Sequence, residues 1–448
     1  MWIQYFSAAV LKFHLFCISL MRRLIIRLIE TVPLRTIFCS GLVVLAGLVT
    51  TKVVGYTSGF QGLLNYSSAM NIAGIAIALA SLGAETGLVR TYHQRNNGFD
   101  FGKLDIFLIG ALGGVIVSGL SFGLSLLFPS KFEFSMLSII LGFSGGMLLF
   151  SRVIYLATDR GYVIVLCQAC ILSLIIMLTL LTRPKTVSEY VAVITSANAI
   201  SVVPFVAFLI ISASKSKTFD FLSLFKTFMA RFKRVVREIL PHIAGFSFVS
   251  LSSLVLFQIS ELGMRHLVTI SGEGELFANA EAYVRINTLW HGFVGLLIAS
   301  LFLPRYSKAL VSLQRDNKNK LIADFLRVVV FSAVLYLPVG FVTFLVVYDG
   351  LFNVEVTLLL LFGFLFTLKA LGNVFSTAHV LMRNFFIVWA AEVILFMTPI
   401  LVLIGLLTMT EAFSPIFLAL ALGAGCSCYL VFLAYHYWRC ESIDIDGP

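Results

Sequence analysis

The sequence is short of charge. Only 12% of its 448 residues are Asp, Glu, Lys or Arg, where a soluble domain carries about 25%. With 59% hydrophobic residues and a mean hydropathy of +1.00, that deficit excludes an ordinary soluble fold and points to an integral membrane protein. Acids are scarcer than bases, 22 against 32. In a soluble chain the net charge of +10 would suggest nucleic acid. Here it matches the Lys and Arg excess of cytoplasmic loops, and no nucleic-acid partner is expected.

Catalytic and cofactor signatures are also missing. There is no P-loop pattern, so no intrinsic ATPase is expected. His242, His291 and His379 show no metal-ligand spacing, so neither metal nor cofactor is expected. The seven cysteines (Cys17, Cys39, Cys167, Cys170, Cys426, Cys428 and Cys440) lie in or near apolar runs. Buried thiols are expected rather than disulfides, the Cys167–Cys170 CxxC included, because no second ligand pair accompanies it. The longest outer loop, Gly263 to Phe277, leaves no room for an extracytoplasmic catalytic domain. Residues 1–20 lack a basic start and a small-residue cleavage site, so no cleavable signal peptide is expected. Met21, followed by Arg22, Arg23 and Arg27, is an equally good start.

What the chain has is long apolar runs. Twelve can cross a bilayer: Val32–Val54, Leu64–Leu88, Leu104–Phe128, Met136–Thr158, Gly161–Thr182, Tyr190–Ser212, His242–Leu262, Ala278–Leu303, Phe325–Tyr348, Glu355–His379, Phe385–Thr408 and Ile416–Trp438. Pro204, Pro338 and Pro399 fall inside spans, where they are tolerated. The stretch Ala213–Pro241 interrupts the series with Lys215, Lys217, Lys226, Arg231, Lys233, Arg234 and Arg237 against Asp220 and Glu238. The expected architecture is an all-α polytopic membrane protein of about twelve helices in two six-helix lobes. Its parts are an N-terminal cytoplasmic extension 1–31, a first lobe 32–212, a basic linker 213–241, a second lobe 242–438 and a cytoplasmic tail 439–448.

In the linker, Phe221, Phe225, Phe228, Phe232, Val235 and Ile239 fall three or four apart. That pattern suits a helix lying in the membrane surface, basic side toward anionic headgroups. It suits equally a helix covering the ends of neighbouring spans. With both termini in the cytoplasm, about 25 of the 32 Lys and Arg residues face inward and about five outward, which sets the orientation.

Polar residues fall on single faces of several spans. Span 2 carries Ser67, Asn71, Gly74, Ala78, Ser81 and Glu85; span 8 carries Glu281, Arg285, Thr288, Gly292, Gly295 and Ala299; span 10 carries Lys369, Gly372, Asn373, Ser376 and His379. Weaker stripes on spans 1 and 7, the latter with Ser247, Ser250, Ser253 and Gln258, read as helix–helix contacts. Ionisable groups are costly in lipid and usually face a wet cavity. Lys369 is near the middle of span 10. Arg285 lies about two turns below the outer surface, and Glu392 about two turns in from the cytoplasmic side of span 11. Glu281 and Arg285 are four apart, and Lys369 and Glu392 reach similar depth. Each couple reads either as a structural ion pair or as part of a cationic cavity with acids free for ion coupling. Glu392 is the first candidate for taking up a proton and Glu85 the second.

The runs TTKVVGYTSGFQGLLNY and LGAETGLVRTYHQ resemble the first two spans of polysaccharide flippases. Gly62, Leu63, Gly83, Ala84, Gly87, Val89 and Tyr92 match that pattern; so, in the second half, do FLPRYSKAL, Lys369 and Ala391–Glu392–Val393. Over Pro33–Trp438 the chain is similar to Wzx-type translocases of O-antigen and enterobacterial common antigen, within the MOP superfamily that also holds MATE exporters. The N-terminal extension and the long hinge depart from the pattern.

The resemblance implies two lobes in a V, with spans 1, 2, 7 and 8 lining the cleft. It implies a bacterial inner-membrane protein that moves an undecaprenyl-pyrophosphate-linked oligosaccharide from the cytoplasmic to the periplasmic leaflet. Its partners would be membrane lipids, a polysaccharide polymerase and a chain-length regulator. In this reading Arg285 and Lys369 supply cations for the pyrophosphate, with Lys52 and Arg90 near the mouths. Asn71 and Asn373 pass the sugar, and Glu392, Glu85 and Glu281 serve coupling. The alternative is a MATE-like antiporter of drugs or small solutes, although span 1 lacks the acid expected there. A membrane enzyme would need a larger outer loop, and a scaffold would leave charges in three spans unexplained.

Overall fold

The structure is a computed structural model that describes residues 34–80, 84–93, 105, 108–117, 119, 140, 144–145, 153, 156, 161–214, 229–270, 274–311, 315–348, 355–410 and 413–443. These residues are helical apart from short connections, and seven helices among them are long and apolar enough to cross a membrane. The fold is that of an all-α polytopic membrane protein. Spans 3 and 4 fall mostly outside the described residues, apart from the short helix Leu108–Val117.

Helix α1, Leu34–Ala80, holds two predicted spans joined at Gly59, whose φ of 65° and ψ of −162° interrupt the helix. Only glycine enters that region freely. Side chains on both sides of the break grip one loop: Ser58 donates to the Pro184 carbonyl (2.8 Å) and Asn65 to the Lys185 carbonyl (2.7 Å). Span 2 does not run on to Leu88. Ala84 is outside any helix, and a separate helix α2 covers Glu85–His93. Glu85 therefore does not continue the helix that carries Ser67 and Gly74.

Helix α3, Gly161–Thr182, and helix α4, Val187–Ser214, pack on α1 and on each other. A reciprocal cap starts α4. The Glu189 carboxylate accepts from the Lys185 and Thr186 N–H groups, and the Glu189 N–H donates to the Thr186 hydroxyl. This satisfies donors that a helix start leaves open.

The described end of the linker is not a separate surface helix. From Met229 the chain is helical, passes through a π-turn at Val235–Ile239 and continues into α5, Leu240–Ile270. Val235 and Ile239 are fully buried. Arg231 pairs at 3.2 Å with Asp105, a completely buried carboxylate of the first half. This part of the linker therefore packs against the body of the protein. Phe221, Phe225 and Phe228 lie outside the described residues.

Helix α6, Gly274–Leu297, passes through a second π-turn, Ile298–Phe302, into α7, Leu303–Val311. Helices α8 (Arg315–Tyr348), α9 (Val356–Leu381), α10 (Phe385–Thr410) and α11 (Pro415–Ile443) complete the second half. Pro338 and Pro399 sit inside α8 and α10. Lipid offers helices no hydrophobic reason to associate, so close contact must come from small residues. A Cβ at Gly372 of α9 would lie 2.5 Å from the Tyr429 ring, and one at Gly425 of α11 would lie 2.7 Å from the Leu395 carbonyl. These glycines seat α11 against α9 and α10. The two halves meet where α6 packs on α1 and where α2 packs on α5, α7 and α9. Cys39, Cys167, Cys170, Cys426 and Cys428 are free thiols.

Candidate functional site

Side chains from two other helices of the second half converge on Glu392 of α10. Ser253 of α5 donates to its Oε2 at 3.1 Å, and Tyr429 of α11 reaches its Oε1 at 3.3 Å. The same tyrosine hydroxyl lies 3.1 Å from Asn373 Oδ1 on α9. A phenol has one proton, so Tyr429 donates to Glu392 or to Asn373, not to both at once. The Asn373 amide in turn meets His291 Nε2 of α6 at 3.1 Å. One polar chain thus links five helices through an apolar core.

Lys369 stands one turn before Asn373 on α9. Its ammonium lies 6.0 Å from the Phe366 ring centroid and 5.7 Å from that of Phe396. It makes no hydrogen bond and no ion pair among the described residues, although Glu392, His291 and Cys426 all lie within reach of its field. The anticipated Lys369–Glu392 bridge does not form; the hydroxyls of Ser253 and Tyr429 bond the carboxylate instead. The aromatic faces of Phe366 and Phe396 attract the cation.

The other expected site residues are dispersed. Lys52 is exposed on α1, and Glu85 is half-buried on α2. The side chains of Asn71, Glu281 and Arg285 lie outside the described residues, although the backbone of each is helical. A Cβ at Gly74, Gly292 or Gly295 would meet no atom within 4 Å, so the stripes on α1 and α6 border open space. His379 is structural, buried between the Leu433 carbonyl (3.1 Å) and Asn384 (3.2 Å).

Arg90 lies at the opposite, basic end of the bundle from Gly59. Its guanidinium donates to the Leu381 carbonyl at the end of α9. There the chain turns with Asn384 N–H on the His379 carbonyl (2.9 Å) and Arg383 N–H on the Val380 carbonyl (3.0 Å). Arg383 takes a φ of +67° at the position where such turns usually place glycine. Burial and the like charge of Arg383 pull the Arg90 guanidinium down to about 10, so Arg90 remains a cation at neutral pH. The sequence alone gives Tyr429 and His291 no part in the site. Tyr429's only signal is a phenol within a run of small residues on span 12.

No family model and no curated protein matches the sequence. Solved structures do. A MATE protein in complex with MaL6 superposes with a TM-score of 0.69 over 95% of this chain and 97% of its own, at 11% identity. An outward-facing multidrug resistance MATE family transporter of the MOP superfamily gives 0.69 over the same shares at 13% identity. The chain has the MATE-type fold. A MOP superfamily transporter from Pyrococcus furiosus, described as having a binding pocket of reverse polarity, matches equally, with a TM-score of 0.69, 95% and 97% coverage and 11% identity. Likeness at such identities concerns the fold alone. It agrees with the superfamily that the sequence resembles and does not single out its flippase branch.

Proposed function

We propose that the protein is a transporter that flips an undecaprenyl-pyrophosphate-linked oligosaccharide from the cytoplasmic to the periplasmic leaflet of a bacterial inner membrane by alternating access. The observation that carries this reading is the ammonium of Lys369, which lies near two aromatic rings and makes no ion pair or hydrogen bond among the described residues. A cation at membrane depth without a direct ion-pair partner is costly. An anionic substrate headgroup offsets that cost, and a cationic drug adds to it. The pocket of the Pyrococcus furiosus transporter, described as of reverse polarity, is a parallel on the same fold. Arg285, on a cleft-lining span, is the second proposed cation. Asn71 and Asn373 are the proposed sugar contacts, and Lys52 lies near a mouth.

Glu392 is the proposed coupling group, with Glu85 and Glu281 behind it. It sits in the hydrogen-bonded chain, so a change in its protonation would change what Tyr429 and Ser253 can bond. Under an imposed pH gradient, Glu392→Gln should flip without responding to the gradient; a wild-type response would remove Glu392 from this role. The charge bias supports a cytoplasmic position for both termini and the linker. A cysteine introduced near Lys226 should therefore resist membrane-impermeant thiol reagents in intact cells. The product would pass to a polysaccharide polymerase and its chain-length regulator.

The deciding experiment compares two activities in proteoliposomes. Flipping of a fluorescent lipid-linked oligosaccharide without cation-driven dye efflux supports the proposal. Dye antiport without flipping favours the MATE-like antiporter that the fold equally allows.

A further inference from the structure

We infer that Arg90 and Arg383 form a phosphate-responsive latch on the basic end of the bundle: an anionic phosphate group displaces the Leu381 carbonyl from Arg90 and so releases α2 from the second half. The inference takes its ligand from the flippase reading above. It stands on the arrangement of α2.

Helix α2 is the arm of the first half that lies across α5, α7 and α9. Its contact is close: a Cβ at Gly87 would lie 2.9 Å from the Phe246 ring, which packs edge-on against Phe385 at 4.9 Å. One turn on, Arg90 fastens the arm by donating to Leu381. The turn after α9 satisfies the His379 and Val380 carbonyls internally, and Arg90 takes the next carbonyl in line. A helix C-terminus attracts a cation, so the resting bond is favourable.

It is also incomplete. Arg90 Nε is buried with no hydrogen-bond partner, whereas a guanidinium offers five donors in a fork suited to two oxygens of one phosphate. Arg383 is exposed, makes no side-chain hydrogen bond or ion pair among the described residues, and repels Arg90. Its backbone is left-handed, which any side chain tolerates less well than glycine. Two cations side by side, one with a spare buried donor, make a site that one carbonyl half fills. A phosphate completes it, removes the repulsion and frees the carbonyl. Opening would then require the anion, and an unloaded protein would stay shut at this end.

The test uses full-length protein in phosphatidylcholine nanodiscs carrying Thr91→Cys. Thr91 is 7% exposed and lies on the face of α2 that holds Gly87, to whose carbonyl it bonds. The reading is the maleimide modification rate of the peptide carrying the new thiol, by mass spectrometry, so native cysteines do not interfere. Inorganic pyrophosphate, or undecaprenyl pyrophosphate incorporated in the disc, should raise that rate about tenfold or more, the weight of one charged hydrogen bond. A response to the lipid alone identifies the membrane headgroup as the source; a response to both shows that the free anion suffices. Arg90→Ala should label rapidly without ligand, Arg90→Lys at an intermediate rate, and Arg383→Gln slowly with little response. No acceleration by either ligand, or an unchanged response in Arg383→Gln, overturns the latch. Flipping without a latch response defeats this inference alone, and a latch response without flipping defeats the flippase reading alone.

Discussion

Gly372→Ala should break the polar chain without touching any of its members. The new Cβ would stand 2.5 Å from Cδ1 and Cε1 of Tyr429. Comfortable carbon contacts begin near 3.5 Å, so the ring must retreat by about 1 Å. It cannot give way like a flexible side-chain end, because Tyr429 is fully buried. Its hydroxyl now lies 3.1 Å from Asn373 and 3.3 Å from Glu392, and a retreat of ~1 Å puts both beyond hydrogen-bond reach. Overpacking costs about 1–3 kcal/mol, and unsatisfied buried groups cost a similar amount. Alanine regains roughly 0.5–1 kcal/mol over glycine in a helix. The expected net loss is about 2–3 kcal/mol. Thermal unfolding of the purified protein, followed by tryptophan fluorescence, should show a lower midpoint for Gly372→Ala. Gly405→Ala, where the Cβ meets nothing within 4 Å, should match or exceed wild type. If both variants unfold alike, the seating of α11 described above is wrong.

Gly59→Ala forces a side chain into a backbone region that only glycine enters freely, and should cost about 1–3 kcal/mol in the same assay. At the α4 cap, hydrogen bonds from the Lys185 and then the Thr186 N–H hold the Glu189 carboxyl below the usual carboxylate range. The stability this adds is present above the unfolded value of about 4.3 and is lost as pH falls through the lowered folded value. Glu189→Gln should flatten that acid limb in unfolding midpoints measured from neutral to acidic pH, and an unchanged limb would assign it to other groups.

Hydropathy made the spans legible, because about 20 apolar residues in a row have few other uses. It could not place the breaks. A sliding window averages over Gly59, and it carries span 2 through Ala84, which lies outside any helix. The same averaging hid the continuity from Met229 into α5, since the basic residues of the linker mask a buried Val235 and Ile239. Lys369, Asn373 and Glu392 are readable as candidate site residues because ionisable and amide groups are rare at membrane depth. Their relation was not. Depth alone suggested that Lys369 and Glu392 pair. The alternative partners of Glu392, Ser253 and Tyr429, come from two other helices. No local pattern reports which faces of distant helices meet, and Arg90 was placed near a mouth without any sign of the carbonyl it binds.

The central claim is that Lys369 receives an anionic headgroup. Its most direct test is the affinity of the purified protein in neutral-lipid nanodiscs for undecaprenyl pyrophosphate, compared between wild type and Lys369→Met, which keeps the length of the side chain and removes its charge. The account predicts a loss of at least ~10-fold, about 1.4 kcal/mol, with Lys369→Arg retaining most of the binding. Equal affinity in Lys369→Met would contradict it.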